Sequence, residues 1–279
     1  MSIESYNNYL TEESALDLRV EANTILAQDP EEKKTWWYEL SKSPSNIIEN
    51  FILKSAQQHG LEGYLGAEWW IRSHDTIESQ WYFHVDGDVG RFRQTGEYLA
   101  APFSTVTYLC DGGQPTVVCD QHHDWSKTEG VYATGNDDWS FWSYPKMGKH
   151  ICWSLPYFHG VPASMGHIQP GDKRVTLMFN LWNSRPFEPE CVEYNLSHKI
   201  KDGEVFLYPK KDTNLEFREP HGHFTAYLEG IPTAIQFHGY HIAGDSFLVT
   251  QYRPSNLSED QYFPNHNTIF KYTRIDIVI

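Results

Sequence analysis

The feature that most constrains this chain is a series of short strand-like segments that begins after Gly60. Clusters of Gly, Pro, Asn and Asp separate these segments, and most of the connections are too short to hold a helix. A parallel α/β sheet is therefore disfavoured, and the pattern predicts a mainly β sandwich or barrel of the jelly-roll type. The predicted strands are Glu68–Ile71, Gln80–His84, Ser104–Cys110, Thr116–Cys119, Ile151–Ser154, Arg174–Trp182, Glu204–Tyr208, Phe247–Tyr252 and Ile269–Ile279.

The first 60 residues have a helical pattern instead. Helices are predicted over Thr11–Leu26 and Glu31–Leu40, and a third begins after Ser43 and stops at Gly60. A helical segment that precedes a sheet usually packs on one face of it. We therefore predict one domain overall, with N-terminal helices (1–60) packed on the core, and a jelly-roll catalytic domain with a β-rich C-terminal extension (61–279).

Charge and composition exclude several kinds of partner. The formal net charge is −15, whereas nucleic acids and anionic membranes bind basic surfaces, so we expect neither partner. The polar N-terminus lacks the apolar core of a signal peptide, and no run of about 18 apolar residues occurs, which predicts a soluble, cytoplasmic protein. The four cysteines include no C-x-x-C pair, which predicts small buried thiols and no structural zinc site.

The stretch with the clearest chemistry is Trp81-Tyr-Phe-His84-Val-Asp86-Gly-Asp88. Residues two apart on an extended strand point to the same face, so His84 and Asp86 are predicted to project side by side. An imidazole and a carboxylate, joined by one more histidine, make the 2-His-1-carboxylate triad that binds ferrous iron and leaves positions open. In the rival interpretation, His84 only forms a hydrogen bond to a loop carboxylate.

Two later stretches supply the remaining candidates. His159 lies in Phe158-His159-Gly-Val, at the end of a predicted strand, and is the candidate third metal ligand. Arg174 and Thr176 are again two apart on a predicted strand and so share a face. A guanidinium beside a hydroxyl suits a carboxylate, which the arginine binds through two parallel hydrogen bonds. The alternative is a solvent-facing arginine on an edge strand.

A resemblance to a known family rests on the order of these motifs. His84-x-Asp86 is followed by Tyr108-Leu-x-x-Gly-Gly-x-x-Thr-Val-Val, by His159-Gly-Val and by Arg174-x-Thr176. This order resembles that of the Fe(II)/2-oxoglutarate-dependent dioxygenases, over roughly residues 80 to 182. The resemblance implies a double-stranded β-helix, which is the cupin-like form of the jelly roll. It also implies that His84, Asp86 and His159 hold Fe(II) and that Arg174 and Thr176 bind the distal carboxylate of 2-oxoglutarate.

The implied activity is an oxidoreductase reaction of biosynthesis. Such an oxygenase uses O₂ to oxidise an unactivated C–H bond of a small, carboxylate-bearing metabolite, by hydroxylation or by desaturation or oxidative cyclisation. 2-Oxoglutarate is decarboxylated to succinate in the same reaction. The carboxylate of Asp86 argues against halogenation, because halogenases of this family have Gly or Ala there. The alternative function is a cupin-like protein that binds a small ligand without catalysis.

Several residues remain open alternatives. Arg91 and Arg93 are candidates to bind an anionic substrate near the iron, against the interpretation that they pair with surface acids. Phe237-His238-Gly repeats the Phe-His-Gly motif, and Arg253 follows it by fifteen positions. His238 and Arg253 therefore rival His159 and Arg174. By strand parity, the further candidates for contacts to 2-oxoglutarate are Thr107, Tyr108 and Asn180.

Overall fold

The structure is a computed structural model of the chain. It describes residues 3–28, 35–74, 81–128, 133–134, 140–161, 173–187, 191–193, 205–208, 220–228, 234–242, 246–251 and 272–278. Within these residues the chain forms three helices, α1 Glu12–Gln28, α2 Ile47–His59 and α3 Val89–Thr95. No helix in these ranges is long and apolar enough to cross a membrane.

Strands make up most of the described chain. They are β1 Ile3–Tyr6, β2 Thr35–Glu39, β3 Gly66–His74, β4 Trp81–His84, β5 Phe103–Tyr108, β6 Thr116–His123, β7 Ala133–Thr134, β8 Ser140–Ser143, β9 His150–Trp153, β10 Tyr157–Val161, β11 Arg174–Trp182, β12 Cys191–Glu193, β13 Pro220–Leu228, β14 Ala234–Ile242, β15 Ser246–Gln251 and β16 Tyr272–Val278. The first sheet has the order β1-β9-β5-β11-β3-β2-β12. The second sheet has the order β16-β13-β14-β15-β8-β6-β10-β4, and β7 pairs with β6.

Eight of these strands pair like one long hairpin that has been wound up. β6 pairs with β8 at its centre, and outward along the chain β5 pairs with β9, β4 with β10 and β3 with β11, all antiparallel. Successive pairs alternate between the two sheets. This nested, alternating pairing is a jelly roll, also called a double-stranded β-helix, and it confirms the predicted fold class.

The N-terminal helices cover the outer face of the first sheet, as predicted. Leu18 of α1 and Phe51 of α2 are fully buried against alternate residues of β11, among them Leu177 and Phe179. The opposite faces of these strands point between the two sheets. One sequence therefore serves two environments, because successive strand residues alternate between faces.

The ends of α2 follow from its sequence. The Asn46 side chain accepts a hydrogen bond from the backbone N–H of Glu49, and the Glu49 carboxylate accepts one from the backbone N–H of Ser45. This arrangement is a variant of the capping box, in which the Glu49 carboxylate accepts from the residue before the N-cap and not from the N-cap itself. At the other end Gly60 adopts φ 69°, the left-handed conformation that glycine tolerates and that ends the predicted third helix where expected.

Two predicted elements are wrong. The segment Glu31–Leu40 contains strand β2 where a helix was predicted, because its Trp-Trp-Tyr run favours a strand that can pair with β3. The predicted strand Glu204–Tyr208 is described only over 205–208, where it makes a single isolated bridge, from Leu207 to Leu10. The predicted strand Phe247–Tyr252 is described only as far as Gln251. Of the predicted strand Ile269–Ile279, residues 269–271 and 279 lie outside the described residues.

Candidate active site

The three predicted metal ligands lie together at one end of the second sheet. His84 is the last residue of β4, and it is the direct cross-strand partner of His159 on β10. Asp86 lies two residues after His84, in the turn that follows the strand. Asp86 Oδ1 is 3.4 Å from His84 Nε2, and Asp86 Oδ2 is 3.5 Å from His159 Nε2. One donor atom of each residue lies within 4.8 Å of the other two.

Hydrogen bonding presents His159 to this cluster in the form that binds metals. Its Nδ1 is 3.0 Å from the carbonyl oxygen of Tyr157. A carbonyl can only accept, so Nδ1 carries a proton and Nε2, the ring nitrogen that faces Asp86, is the atom available to a metal ion. His159 is buried, whereas the side chain of His84 is 47% exposed. The cluster is therefore anchored on the buried side and accessible on the other.

The charge state of Asp86 also suits a cation. Burial alone would raise the pKa of Asp86, but the nearby imidazoles of His159 and His84 outweigh burial and hold the pKa well below its usual range. The carboxyl group is therefore ionised at neutral pH. Two imidazoles and one carboxylate are a donor set that fits non-haem Fe(II).

The turn that carries Asp86 is held by its neighbours. The backbone oxygen of Asp86 accepts a hydrogen bond from Ala101 N–H at 2.9 Å. The Tyr98 hydroxyl donates to the carbonyl oxygen of Val85, also at 2.9 Å. The Tyr98 ring packs so closely on Gly87 that a Cβ there would collide with it. The glycine after Asp86 is thus required by packing, and the sequence showed it only as a turn residue.

Arg174 is the main charged group deeper in the fold. It is 2% exposed, and its guanidinium donates to the carbonyl oxygen of Gln114 and to the hydroxyl of Thr116, both at 2.9 Å. The guanidinium also lies over the Tyr108 ring, 5.5 Å from its centroid. Burial lowers the pKa of Arg174 from its ordinary value. Within the described residues no carboxylate pairs with it, so its positive charge is balanced only by neutral acceptors.

The Gly-Gly turn makes room for this arginine. Gly113 has φ +117°, and a Cβ there would lie 2.9 Å from Cβ of Arg174. The glycine is needed both for its backbone conformation and for its missing side chain. The sequence did not reveal Gln114 and Thr116 as partners of Arg174, although they follow the turn directly.

A cavity of about 270 Å³ connects the triad with Arg174. One wall consists of paired residues from β3 and β11, since every second residue of each strand faces inward. These cross-strand pairs are Arg174–His74, Thr176–Arg72, Met178–Trp70 and Asn180–Glu68. Thr176 is fully buried beside Arg174, as the i, i+2 spacing predicted.

His74 adds no charge to the Arg174 end of this cavity. Burial, together with the positive charges of Arg174 and Arg72, lowers the pKa of His74 to about 3. The imidazole is therefore neutral near pH 7. The fixed positive charges at this end are the two guanidinium groups.

The other candidates from the sequence differ in where they lie relative to the cavity. Arg91 and Arg93 are on α3 and do not line the cavity, and Arg91 instead forms a salt bridge of 2.6 Å with Glu97. Arg91 thus forms the surface ion pair of the rival interpretation, and substrate binding by Arg91 and Arg93 stays a prediction. Thr107 points away from the cavity, with its hydroxyl 2.8 Å from His150 Nδ1. Tyr108 lies beneath Arg174, and Asn180 lines the cavity.

The rival pair His238 and Arg253 does not join this site in the described residues. His238 is on β14, which is separated from β10 by β15, β8 and β6. Four steps between neighbouring strands amount to roughly 19 Å. Arg253 lies outside the described residues.

No protein-family model matches the chain, and no curated protein is similar to it. Solved structures are similar in fold. A prolyl-4-hydroxylase from Pseudomonas putida is 13% identical with a TM-score of 0.41, over 66% of this chain and 89% of that one. HygX from Streptomyces hygroscopicus, solved with nickel and 2-oxoglutarate bound, is 13% identical with a TM-score of 0.38, over 65% and 82%. EctD from S. alaskensis, solved with bound Fe, is 15% identical with a TM-score of 0.41, over 73% and 84%.

Iron and 2-oxoglutarate are the two ligands that the resemblance of the sequence motifs implies. All three TM-scores are modest, so the function has to be argued from the side chains.

Proposed function

We propose that this protein is an Fe(II)/2-oxoglutarate-dependent oxygenase that oxidises a C–H bond of a small molecule. The observation that carries the proposal is one cavity with two complementary ends. At one end are His84, Asp86 and His159, and at the other is the buried cation of Arg174. A donor set for iron and a binding site for a carboxylate are the two features that this chemistry requires.

In this proposal His84, Asp86 and His159 hold the iron. His159 is fixed by its bond to Tyr157, which raises its basicity as a ligand and prevents the ring from turning. His84 lies on the accessible side of the cluster. When bound, iron supplies the activation of O₂ that no amino-acid side chain provides.

Arg174 and Thr176 bind the distal carboxylate of 2-oxoglutarate. An unpaired buried guanidinium is costly, and a carboxylate ligand offsets that cost through charge-assisted hydrogen bonds. Gln114 and Thr116 fix the guanidinium from the side, so that it is oriented before the ligand arrives. The distal carboxylate of the cosubstrate is thereby placed away from the triad.

The rest of the cavity binds the substrate and limits the access of water. The whole cavity measures about 270 Å³, near the lower end of the usual range for small-molecule sites, so the substrate must be small. Trp153 and Met178 give apolar walls, whereas Asn180 and Glu68 give polar ones. These walls hold one bond of the substrate close to the triad, which is the positional part of catalysis.

Succinate formation from labelled 2-oxoglutarate tests the proposal. Wild-type protein in air is expected to form succinate only with added Fe(II), and faster when a candidate small-molecule substrate is oxidised. Asp86→Ala is expected to lose the activity. Asp124→Ala, in the solvated loop after β6, is the matched control and should keep it.

The alternative function gives the opposite result in this assay. A cupin-like binding protein forms no succinate under any of these conditions. Iron-dependent succinate that persists in Asp86→Ala would also contradict the proposed assignment of the triad.

A further inference from the structure

A second group of metal-binding side chains lies on the far side of the first sheet. His59 is the last residue of α2, and His150 and Cys152 are two apart on β9. One donor atom from each lies within 4.8 Å of the others. These residues face the helical layer, whereas Trp153, the next residue along β9, lines the cavity. The group is therefore separate from the proposed iron site.

His150 presents a nitrogen that the described residues leave without a hydrogen bond. The side chain is fully buried, and its Nδ1 is 2.8 Å from the hydroxyl of Thr107. Its Nε2 is buried and has no hydrogen-bond partner in the described structure. Leaving such a group unsatisfied costs about 1–3 kcal/mol. The buried Nε2 of His150 is thus an unsatisfied nitrogen within reach of the other two donors.

The other members are close to the geometry of a bound metal. Cys152 Sγ is 4.0 Å from His59 Nε2. In a tetrahedral zinc site, sulfur and nitrogen ligands lie roughly 3.6 Å apart. This pair therefore needs only a small contraction to bind one ion, and the His150 donor lies within 4.8 Å of both.

Glu4 on β1 completes the surroundings. Its Oε2 is 3.6 Å from His59 Nδ1 and 3.9 Å from Cys152 Sγ, and it accepts a hydrogen bond from the Tyr6 hydroxyl. A carboxylate that contacts the second nitrogen of a metal-bound histidine orients that histidine. Thr107 can do the same for His150, since its hydroxyl faces Nδ1.

We propose that His59, His150 and Cys152 supply three ligands of a site for a zinc-like divalent ion, with the fourth position, beside Glu4, filled by water. Mixed nitrogen and thiolate donors favour Zn²⁺ over harder ions such as Mg²⁺. Binding converts the Cys152 thiol to a thiolate, and the released proton goes to water. The ion links α2 to β9, and so fastens the N-terminal layer to the jelly roll.

The absence of a C-x-x-C pair predicted no structural zinc site. That rule detects ligands that are close in sequence, whereas here α2 and β9 bring them together. His150-x-Cys152 has the same i, i+2 spacing as His84-x-Asp86, and this was the available signal.

Cobalt titration of the Asp86→Ala variant tests this site without interference from the first one. A thiolate bound to Co²⁺ gives a charge-transfer absorption that His and Asp ligands cannot give. We expect about one equivalent of Co²⁺ to produce this band together with the strong visible bands of a tetrahedral ion, and Zn²⁺ to displace it. Adding Cys152→Ser should abolish the charge-transfer band, whereas the matched control Cys119→Ser, on β6, should keep it.

Two results would overturn the proposal: a folded Asp86→Ala protein without the band, or a band that survives in Cys152→Ser. If Cys152→Ser does not fold, zinc X-ray absorption of the Asp86→Ala, Cys119→Ser protein decides the matter. One sulfur at roughly 2.3 Å supports the site, and coordination by nitrogen and oxygen alone refutes it.

Discussion

Arg174 is the residue whose position is hardest to explain without a ligand. It lies on a central strand of the first sheet, buried at 2% exposure, and its polar contacts in the described structure are neutral. Such a site is energetically unfavourable for a cation unless an anion joins it. A carboxylate ligand provides that anion.

Replacing Arg174 with Met is predicted to weaken binding of 2-oxoglutarate more than it slows turnover at saturation. Hydrogen bonds to a charged group contribute about 1.5–3 kcal/mol, which corresponds to a roughly 10- to 150-fold higher half-saturating concentration. Arg93→Met, on the exposed face of α3, is the matched control and should leave the half-saturating concentration of 2-oxoglutarate unchanged. Unchanged half-saturation in Arg174→Met would remove this residue from the cosubstrate site.

Gly113→Ala is predicted to displace Arg174, although Gly113 itself does not line the cavity. The new methyl group meets the Arg174 side chain, and φ +117° is unfavourable for alanine, at a cost of about 1–3 kcal/mol. We expect a lower Tm and a higher half-saturating concentration of 2-oxoglutarate. Gly96→Ala, where a Cβ meets open space at φ +75°, separates the two effects, since it should lower Tm alone.

His74 is predicted to make stability depend on pH. Its pKa is about 3 in the folded state, against 6.5 for the unperturbed group, so the unfolded chain binds more protons between these values. The contribution of neutral His74 to the free energy of unfolding is fully present above about pH 6.5 and is lost as the pH falls towards 3. The free energy of unfolding, measured with urea, should therefore fall less between pH 7 and pH 5 in His74→Gln than in wild type. Equal losses in the two proteins would contradict the assignment.

At the scale of elements, Asp88 joins the turn that carries Asp86 to its surroundings. It is buried and caps α3 by accepting from Arg91 N–H at 2.8 Å, and it also accepts from Phe187 N–H at 2.9 Å. Asp88→Ala should lower stability by about 1–2 kcal/mol and weaken metal binding, because the turn then loses its fixed end. Asp88→Asn keeps an accepting oxygen and should lose less. Metal affinity unchanged in Asp88→Ala would show that the cap does not position Asp86.

Strands with a clear period or turn were predictable, and segments governed by distant partners were not. Arg174–Trp182 was predicted with the bounds that β11 has, because turn residues flank a long β-favouring run. The helix predicted over Glu31–Leu40 failed because β2 is stabilised by pairing with β3, which lies far along the sequence.

The candidate site was predictable to the extent that its spacing is local. His84 and Asp86 were expected on one strand, but β4 ends at His84 and the turn brings Asp86 back beside it. Gln114 and Thr116 could not be assigned, because their role depends on how β6 lies against β11 across the two sheets. The same applies to His59, which only tertiary packing brings to β9.

At the scale of the molecule, the first sheet separates two chemical environments. Its inner face carries Arg174 and Thr176 towards the cavity, and its outer face carries His150 and Cys152 towards the helices. The jelly roll makes this possible because its nested pairs place β10 and β4 of the second sheet across the cavity from β11. The fold thus assembles the candidate iron ligands and the carboxylate site from segments that are far apart in sequence.

The most direct measurement of the central claim is an anaerobic optical titration, in which Fe(II) is added first and 2-oxoglutarate second. Iron and the keto acid bound together give a weak visible charge-transfer band. We predict this band in wild type, saturating near one equivalent of Fe(II), absent in Asp86→Ala, and requiring more 2-oxoglutarate in Arg174→Met. A wild-type protein without the band, or a band that is unchanged in Asp86→Ala, would contradict the account.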